Sequence, residues 1–352
     1  MLDQDSWTGL VAESDGEPVG FVRVWRHRQF FGGNAVPMGA VASLSVLPHA
    51  RGRGVASGLL TAAVEGMHAE GIAVSALYAS APGLYRSRGW EQVGRRQRVV
   101  LPVAALPRCR EGRARPATKV DLPGVLAAYR RVASTVDGMV DRSSPWYDTT
   151  ELLDADIADV VTGRSGVTGY LLADRPDGNQ LAVHDLVAGD GTAARVLLDL
   201  IASWSGVLKT VSLQVLDPMV HDLLLALPYR HRVRTNPWML RVIDLPAAVA
   251  ARGWPNAALS RCYAVDLEVD DKDAPWQHGR FQLVCDDGTV RCEPGGSGAV
   301  RLTARGLAAW YAGAVTSSTL RRGEQLDGDP DAAARLDTLT GAPRQLWMAD
   351  SF

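Results

Sequence analysis

Lysine and cysteine are scarce in this sequence, and long apolar runs are missing. Only three of the 37 basic residues are lysines, and the four cysteines lie apart, without a CxxC or CxxH pair. This scatter argues against a structural zinc site or a disulfide framework, and it predicts reduced thiols. The sequence also lacks a signal peptide and any apolar run near the roughly 18 residues that a membrane span needs. We therefore expect a cytoplasmic protein that needs no metal.

An excess of charge of either sign is also missing. The 37 basic and 39 acidic side chains leave a formal net charge of -2 at pH 7. Nucleic acid and anionic membranes are therefore not expected as partners, and a small molecule is the better default. With 47% apolar and 22% charged residues, the composition is that of a folded globular protein. A length of 352 residues exceeds one ordinary core and predicts two or three domains.

Two segments interrupt the apolar periodicity and predict domain boundaries. Residues 95–119 are rich in arginine and contain three prolines. We interpret them as a solvated linker between strands, in preference to a basic patch. Residues 245–255, which contain two further prolines, form the second interruption. The predicted segments are residues 1–105, 106–248 and 249–352.

Each segment combines strands with helices. The first predicts strands at 7–13, 19–25, 40–46 and 73–78, and helices at 55–70 and 82–88. The second predicts a strand–helix–strand unit at 182–188, 192–204 and 210–215. The third predicts strands at 264–269, 280–285 and 289–293, then helices at 304–312, 317–322 and 330–338. The expected fold class is α+β.

The residues that indicate chemistry follow the third predicted strand. Residues 46–56 (VLPHARGRGVA) turn through glycines and open an amphipathic helix. The N-terminus of a helix presents unpaired backbone N–H groups and the positive end of the helix dipole. Gly52 and Gly54 allow the backbone to approach an anion closely, and Arg51 and Arg53 add charged donors. This arrangement predicts a diphosphate site.

The same residues resemble a signature of GNAT acetyltransferases, [QR]-x-x-G-x-[GA]. Residues 79–90 (ASAPGLYRSRGW) are similar to a second block of that superfamily, which carries a tyrosine. The resemblance implies that the acetyl-CoA pyrophosphate is bound by Arg51, Gly52, Arg53, Gly54, Val55 and Ala56. It also implies that the pantetheine arm pairs with the backbones of Leu44 and Val46, and that Tyr85 faces the thioester sulfur. Ser80 either hydrogen-bonds the donor or caps the following helix.

Three further features are similar to the enhanced intracellular survival (Eis) branch of that superfamily. They are residues 236–248 (NPWMLRVIDLPAA), residues 302–320 and the final aromatic residue, Phe352. The resemblance implies tandem GNAT domains at 1–105 and 106–248, the first of them short at its N-terminus. A sterol-carrier-like domain would follow at 249–352. One donor site per chain is expected, because the second loop, Gly189-Asp190-Gly191, lacks a basic residue. The Eis branch is commonly hexameric, so a homo-oligomer is expected.

Acetyl transfer to nitrogen needs a base and an acid. An ammonium with a pKa of about 10.4 must lose its proton before it attacks, and the departing thiolate must gain one. The resemblance implies that the α-carboxylate of Phe352 is the base and the Tyr85 hydroxyl the acid. An α-carboxyl has a usual pKa of about 3.5, so positioning, burial or a bridging water must assist it. Backbone N–H groups, that of Val46 among them, would stabilise the oxyanion. Asp350 either attracts a cationic amine or is an exposed carboxylate of the tail.

The sequence therefore predicts an acetyl-CoA-dependent N-acetyltransferase that acts on a small cationic amine, such as an aminoglycoside or a polyamine. One alternative is a tailoring N-acyltransferase for an amino acid or a natural-product amine. Another is a sequestering protein with a vestigial GNAT site. The sequence begins just before its first predicted hairpin, whereas GNAT domains usually open with a strand and two helices that wall the acceptor site. This difference motivates the second alternative.

Overall fold

The computed structural model describes residues 2–164, 166–229, 232–260, 262–344 and 346–352. The chain divides into two compact units. The first unit comprises Met1–Gly94, Pro237–Leu346 and Asp350–Phe352, and the second unit comprises Arg95–Asn236 and Trp347–Ala349. Both contain sheets flanked by helices, so the α+β class is confirmed. The domain boundaries at residues 105 and 248 stay predictions.

The chain opens with a region of six strands and two α-helices. The elements up to residue 102 are β1 (Leu2–Gln4), β2 (Trp7–Ser14), β3 (Glu17–Phe31), β4 (Asn34–Val46), α1 (Val55–Ala69), β5 (Val74–Tyr78), α2 (Pro82–Arg86) and β6 (Glu91–Pro102). Every predicted element of this region is present. Strands β3 and β4 extend well beyond their predicted ends, because they continue to pair as far as Phe31 and Asn34. Polar side chains in residues 26–29 hide this extension in the sequence.

The following region contains the predicted strand–helix–strand unit. Its elements are β7 (Arg115–Pro116), α3 (Leu122–Ala133), β8 (Ile157–Gly163), β9 (Gly166–Ala173), β10 (Gln180–Ala188), α4 (Gly191–Ala202), β11 (Thr210–Gln214), α5 (Pro218–Leu225) and β12 (Arg232–Val242). Strands β10 and β11 are parallel and joined by α4, as predicted. Within the second unit the strand order is β6-β11-β10-β9-β8-β7.

The prediction of a linker is wrong for residues 95–102. These residues continue β6, and Arg98–Pro102 pair antiparallel with β11. Val99 and Leu101 are buried. The arginines obscured the strand because they are interleaved with the residues that face the core, and period-2 alternation is a weak signal over so few positions.

The last region contains all six predicted elements. Its elements are α6 (Leu245–Ala251), α7 (Asn256–Leu259), β13 (Tyr263–Asp270), β14 (Gly279–Asp286), β15 (Thr289–Pro294), β16 (Val300–Thr303), α8 (Ala304–Ala312), α9 (Ser317–Arg322), β17 (Leu326–Gly328) and α10 (Pro330–Thr340). Its five strands form a separate sheet in the order β15-β14-β13-β16-β17. None of the helices in the described part of the chain is long and apolar enough to cross a membrane.

The core of the first unit lies under α1. This helix buries Leu59, Leu60, Ala63, Val64 and Met67, which is the apolar face that the sequence predicts. Burying one leucine or valine contributes roughly 1.5–3 kcal/mol, so this face is a major source of stability. Tyr85 and Trp90 belong to the same apolar cluster. The predicted catalytic tyrosine is therefore anchored in the core.

The second unit contains a buried ion pair. Arg142 and Asp185 are 4% and 3% exposed, and the Arg142 guanidinium donates to both carboxylate oxygens of Asp185. The hydroxyl of Tyr170 also donates to Asp185, at 3.0 Å. The guanidinium carbon lies 4.1 Å from the centre of the Tyr129 ring. The two opposite charges are thus buried together, and each offsets the cost of removing the other from water.

We expect Arg142→Met to lower the free energy of unfolding by about 3–5 kcal/mol, because it leaves the Asp185 carboxylate buried without its partner. The double variant Arg142→Met/Asp185→Asn removes both charges and should cost clearly less. Urea unfolding followed by circular dichroism measures both. Equal losses in the two variants would contradict this account of the pair.

Candidate active site

The candidate site begins where β4 and β5 stop pairing. These parallel strands pair only from Met38↔Val74 to Ala40↔Ala76 among the described residues, although β4 continues to Val46. Ser43 adopts a positive φ of 54°, and the register between β3 and β4 shifts nearby. This β-bulge re-aims the end of β4. The backbone of Leu44 and Val46 therefore has no β5 partner. This is what the predicted pairing of the pantetheine arm with β4 requires.

The loop after β4 has the conformation that only glycine adopts easily. Gly52 and Gly54 have φ values of 74° and 80°, and both are exposed. Gly54 is the N-cap of α1, where no side chain caps the helix and the first turn contains no acidic residue. The N–H groups of Val55 and Ala56, in the first turn, are therefore not occupied by a capping side chain. An anion is the natural partner of such a helix end.

The two arginines of this loop differ in their contacts. Arg51 Nε donates to the carbonyl of Val46 at 3.1 Å, which ties the loop back to β4. The exposed Arg53 has no hydrogen bond or ion pair within the described part of the chain. Arg53 lines a groove of about 430 Å³ between β2 and the start of α1. Arg53 is therefore the better placed of the two to bind an incoming phosphate.

The corresponding loop in the second unit is closed by its own residues. Asp190 is the N-cap of α4, and its carboxylate accepts a hydrogen bond from the Ala193 N–H at 2.8 Å. A carboxylate at this position both occupies the helix end and repels an anion. The open end of α1 and the capped end of α4 fit the expectation of one donor site per chain.

Tyr85 is held by its neighbours on the short helix α2. The side chain is 5% exposed, and its ring packs edge-on against Trp90, with the ring centres 6.3 Å apart. Burial raises the pKa of the Tyr85 phenol, and the nearby Ser80 side chain partly offsets this effect. A phenol with a raised pKa stays protonated at neutral pH, which suits a general acid. The structure thus brings together two of the predicted residues, Ser80 and Tyr85.

The end of the chain lies against β3 and β5. The ring of Phe352 is centred 5.9 Å from that of Tyr78 and 6.0 Å from that of His27. Burial lowers the pKa of His27, and the nearby carboxylate of Asp350 partly offsets this effect. Phe352 therefore lies near the end of β5, but its ring contacts in the described residues do not include Tyr85.

Family models cover most of the chain. Residues 2–93 and 138–242 each match an acetyltransferase (GNAT) domain, and residues 245–349 match a sterol carrier protein domain. The crystal structure of a GCN5-related N-acetyltransferase from Kribbella flavida is 31% identical, with a TM-score of 0.84 over 98% of this chain and 87% of that one. The chain belongs to the GCN5-related N-acetyltransferases. The predicted combination of two GNAT domains and a sterol-carrier-like domain is confirmed, and the protein is an N-acetyltransferase.

Two further proteins align with most of the chain. An uncharacterized N-acetyltransferase of Streptomyces coelicolor is 27% identical over 326 residues, which are 82% of this chain and 74% of that protein. The crystal structure of Eis1 from Mycobacterium abscessus has the same fold, with a TM-score of 0.76 and 24% identity over 100% of this chain and 91% of that one. The GNAT fold uses acetyl-CoA as its donor, and the open end of α1 is compatible with the pyrophosphate of that donor.

Two aromatic residues beside the chain terminus were missed in the sequence. His27 lies in a part of β3 that was not predicted, and Tyr78 is the last residue of β5. Trp25 and His27 stack with ring centres 6.5 Å apart, because alternate residues of a strand share one face. The signal available in the sequence was Trp25, which stands two positions before His27 and would share its face on a strand. This spacing places the two rings side by side only because β3 continues past residue 25.

We expect Arg53→Ala to weaken acetyl-CoA binding about tenfold, because a charged donor to phosphate contributes roughly 1.5–3 kcal/mol and this one is exposed to solvent. Arg195→Ala, which removes an exposed arginine from the first turns of the capped helix α4, is the matched control and should leave binding unchanged. Isothermal titration calorimetry measures both. Equal affinities for wild type and Arg53→Ala would remove Arg53 from the donor site.

Proposed function

We propose that this N-acetyltransferase moves the acetyl group of acetyl-CoA to an amine of a small cationic molecule, such as an aminoglycoside or a polyamine. The main support is the difference between the two GNAT loops. The end of α1 is uncapped and carries Arg53, whereas the end of α4 is capped by Asp190. Donor binding is therefore assigned to the first GNAT domain, through the loop from Arg51 to Ala56.

The chemical step follows from the needs of the thioester. The neutral amine nitrogen attacks the thioester carbonyl carbon, a C–N bond forms, and the C–S bond breaks. The Tyr85 hydroxyl donates its proton to the departing sulfur, and the Ser80 side chain lies close enough to the phenol to affect its pKa. Backbone N–H groups at the end of β4, with that of Val46 among them, stabilise the developing oxyanion. The amine loses one proton to a base.

We assign the base to the α-carboxylate of Phe352, acting directly or through a water. The aromatic contacts with Tyr78 and His27 support this assignment, because they hold the terminal residue at the end of β5. Asp350 is 8% exposed, and its carboxylate lies close enough to His27 to offset part of the lowering of the His27 pKa that burial causes. A carboxylate and several aromatic faces together favour a cationic acceptor.

We expect Tyr85→Phe to lower kcat about 100-fold, because general acid catalysis commonly contributes a factor of roughly 10²–10⁴. The assay is thiol release from acetyl-CoA with a panel of polyamines, aminoglycosides and amino acids. Tyr229→Phe, which changes an exposed tyrosine of the second unit, is the control and should be as active as wild type.

The pH profile provides a second test of Tyr85. The acid must be protonated, so kcat should fall as the pH rises through the pKa of Tyr85. Burial raises that pKa, so the fall should begin above the pH range of an ordinary tyrosine, whose pKa is about 10. This basic limb should be missing from Tyr85→Phe. A limb that persists in this variant would assign the acid to another group.

A terminal extension tests the base. We expect a Gly-Ser extension after Phe352 to lower kcat at least tenfold, because it moves the α-carboxylate away from the amine, while the Kd for acetyl-CoA changes little. Phe352→Leu keeps a terminal carboxylate at the same position of the chain but loses the aromatic contacts that hold this residue. It should retain more activity than the extended protein. Full activity of the extended protein would contradict the role of the terminus.

The acceptor panel separates the remaining alternatives. Turnover of amino acids alone would favour a tailoring N-acyltransferase over the proposed one. Membership of the N-acetyltransferase family speaks against a sequestering protein, which should show no saturable binding of acetyl-CoA. A cytoplasmic location and a hexameric homo-oligomer stay predictions. Sedimentation velocity tests the hexamer.

A further inference from the structure

The turn that follows Tyr85 is tightly closed. The carbonyl of Tyr85 accepts hydrogen bonds from the N–H groups of Arg88 and Trp90, at 3.0 and 3.1 Å. Gly89 in this turn has a φ of 84°. Trp90 is fully buried, and its ring contacts that of Tyr85. Any displacement of this turn therefore moves the phenol.

The Arg241 side chain forms a hydrogen bond with the backbone of this turn. Arg241 is in β12, within the segment of residues 236–248 that the acetyl-transfer chemistry does not explain, and it is 0% exposed. Its Nη1 donates to the carbonyl of Arg88 at 2.6 Å, and its Nη2 donates to both carboxylate oxygens of Asp271 at 2.9 Å. A Cβ atom at Gly89 would lie 1.5 Å from Nη1. The glycine thus makes room for the guanidinium.

Two more contacts join the same turn to the sterol-carrier-like domain. Arg88 Nη1 donates to Asp273 at 2.7 Å, and Arg305 Nε donates to Glu91 at 2.7 Å. Glu91 follows Trp90 directly, and it also accepts from Arg86 of α2. The residues on both sides of Gly89 are therefore held by side chains from residues 271–305.

We propose that Arg241 and Asp271 are a positioning pair for Tyr85, and that the sterol-carrier-like domain supports the acetyl-transfer site through this pair. The role in catalysis rests on the proposed function of Tyr85. A guanidinium suits this position because it can bond to a carbonyl and to a carboxylate at once, whereas an ammonium is a single point charge. Displacement of a reacting group by about 1 Å can cost roughly 100-fold in rate.

The first experiment observes Tyr85 without any acceptor. The eight tyrosines are labelled as 3-fluorotyrosine, and the Tyr85 signal in the 19F spectrum is assigned by its loss in Tyr85→Phe. We expect this signal to shift or broaden in Arg241→Lys, and more so in Arg241→Met/Asp271→Asn, which removes both buried charges. A Tyr85 signal unchanged in both folded variants would overturn the proposal.

The matched control is the buried pair of the second unit. Arg142→Met/Asp185→Asn should move the signals of Tyr129 and Tyr170, which contact that pair, and leave the Tyr85 signal in place. If both double variants displaced the Tyr85 signal equally, the effect would be a general loss of stability. That result would also contradict a specific role for Arg241.

Kinetics then connect the pair to catalysis. With an acceptor found in the panel, we expect Arg241→Met/Asp271→Asn to lower kcat about 10- to 100-fold. The Kd for acetyl-CoA should change less than threefold, and Arg241→Lys should recover part of the rate. A displaced Tyr85 signal with an unchanged kcat would disprove the catalytic role of Tyr85 while leaving the contact itself established. Equal losses in donor affinity and in kcat would show that the whole donor site is disrupted.

Discussion

The early end of pairing between β4 and β5 is the constraint on which the site depends. Parallel strands that stay paired leave no polar backbone available between them. Here pairing with β5 stops at Ala40 and Ala76, and β4 then continues to Val46 while it stays paired with β3 on its other edge. The bulge at Ser43 lies in this stretch, where β4 has no β5 partner among the described residues. An extended donor can therefore be recognised by backbone groups, with only a few side chains needed to bind its charge.

The chain uses related strand–loop–helix units for two different purposes. In the first unit the N-cap of α1 is Gly54, which has no side chain to cap the helix, so the first N–H groups stay available. In the second unit Asp190 satisfies its own helix. An N-cap carboxylate stabilises a helix by roughly 0.5–2 kcal/mol, and the same group excludes phosphate. At the N-cap, a residue can therefore either stabilise the helix or leave its N-terminus open to an anion. Gly54 leaves α1 open, and Asp190 caps α4.

Features that depend on neighbouring residues were predictable from the sequence, and features that depend on distant pairing were not. The apolar face of α1 and the glycine loop are local patterns, and both were predicted. The continuation of β6 and the aromatic contacts of Phe352 depend on strands far away in the chain. Arg241 was recognised as part of a family motif. Its contact with Arg88, 153 residues away, could be seen only in three dimensions.

The pairing of β5 with β12 also affects how the chain is made. Residues 74–78 pair with residues 238–242, so one edge of β5 is uncovered until those later residues leave the ribosome. Synthesis of residues 1–94 alone is therefore not enough to complete the first unit, because its sheet also needs residues 238–242. The second unit is almost complete in sequence before that moment and can fold first. Synthesis from the N-terminus therefore allows the second unit to fold before the first, whose strand β5 keeps an exposed edge until residues 238–242 are made.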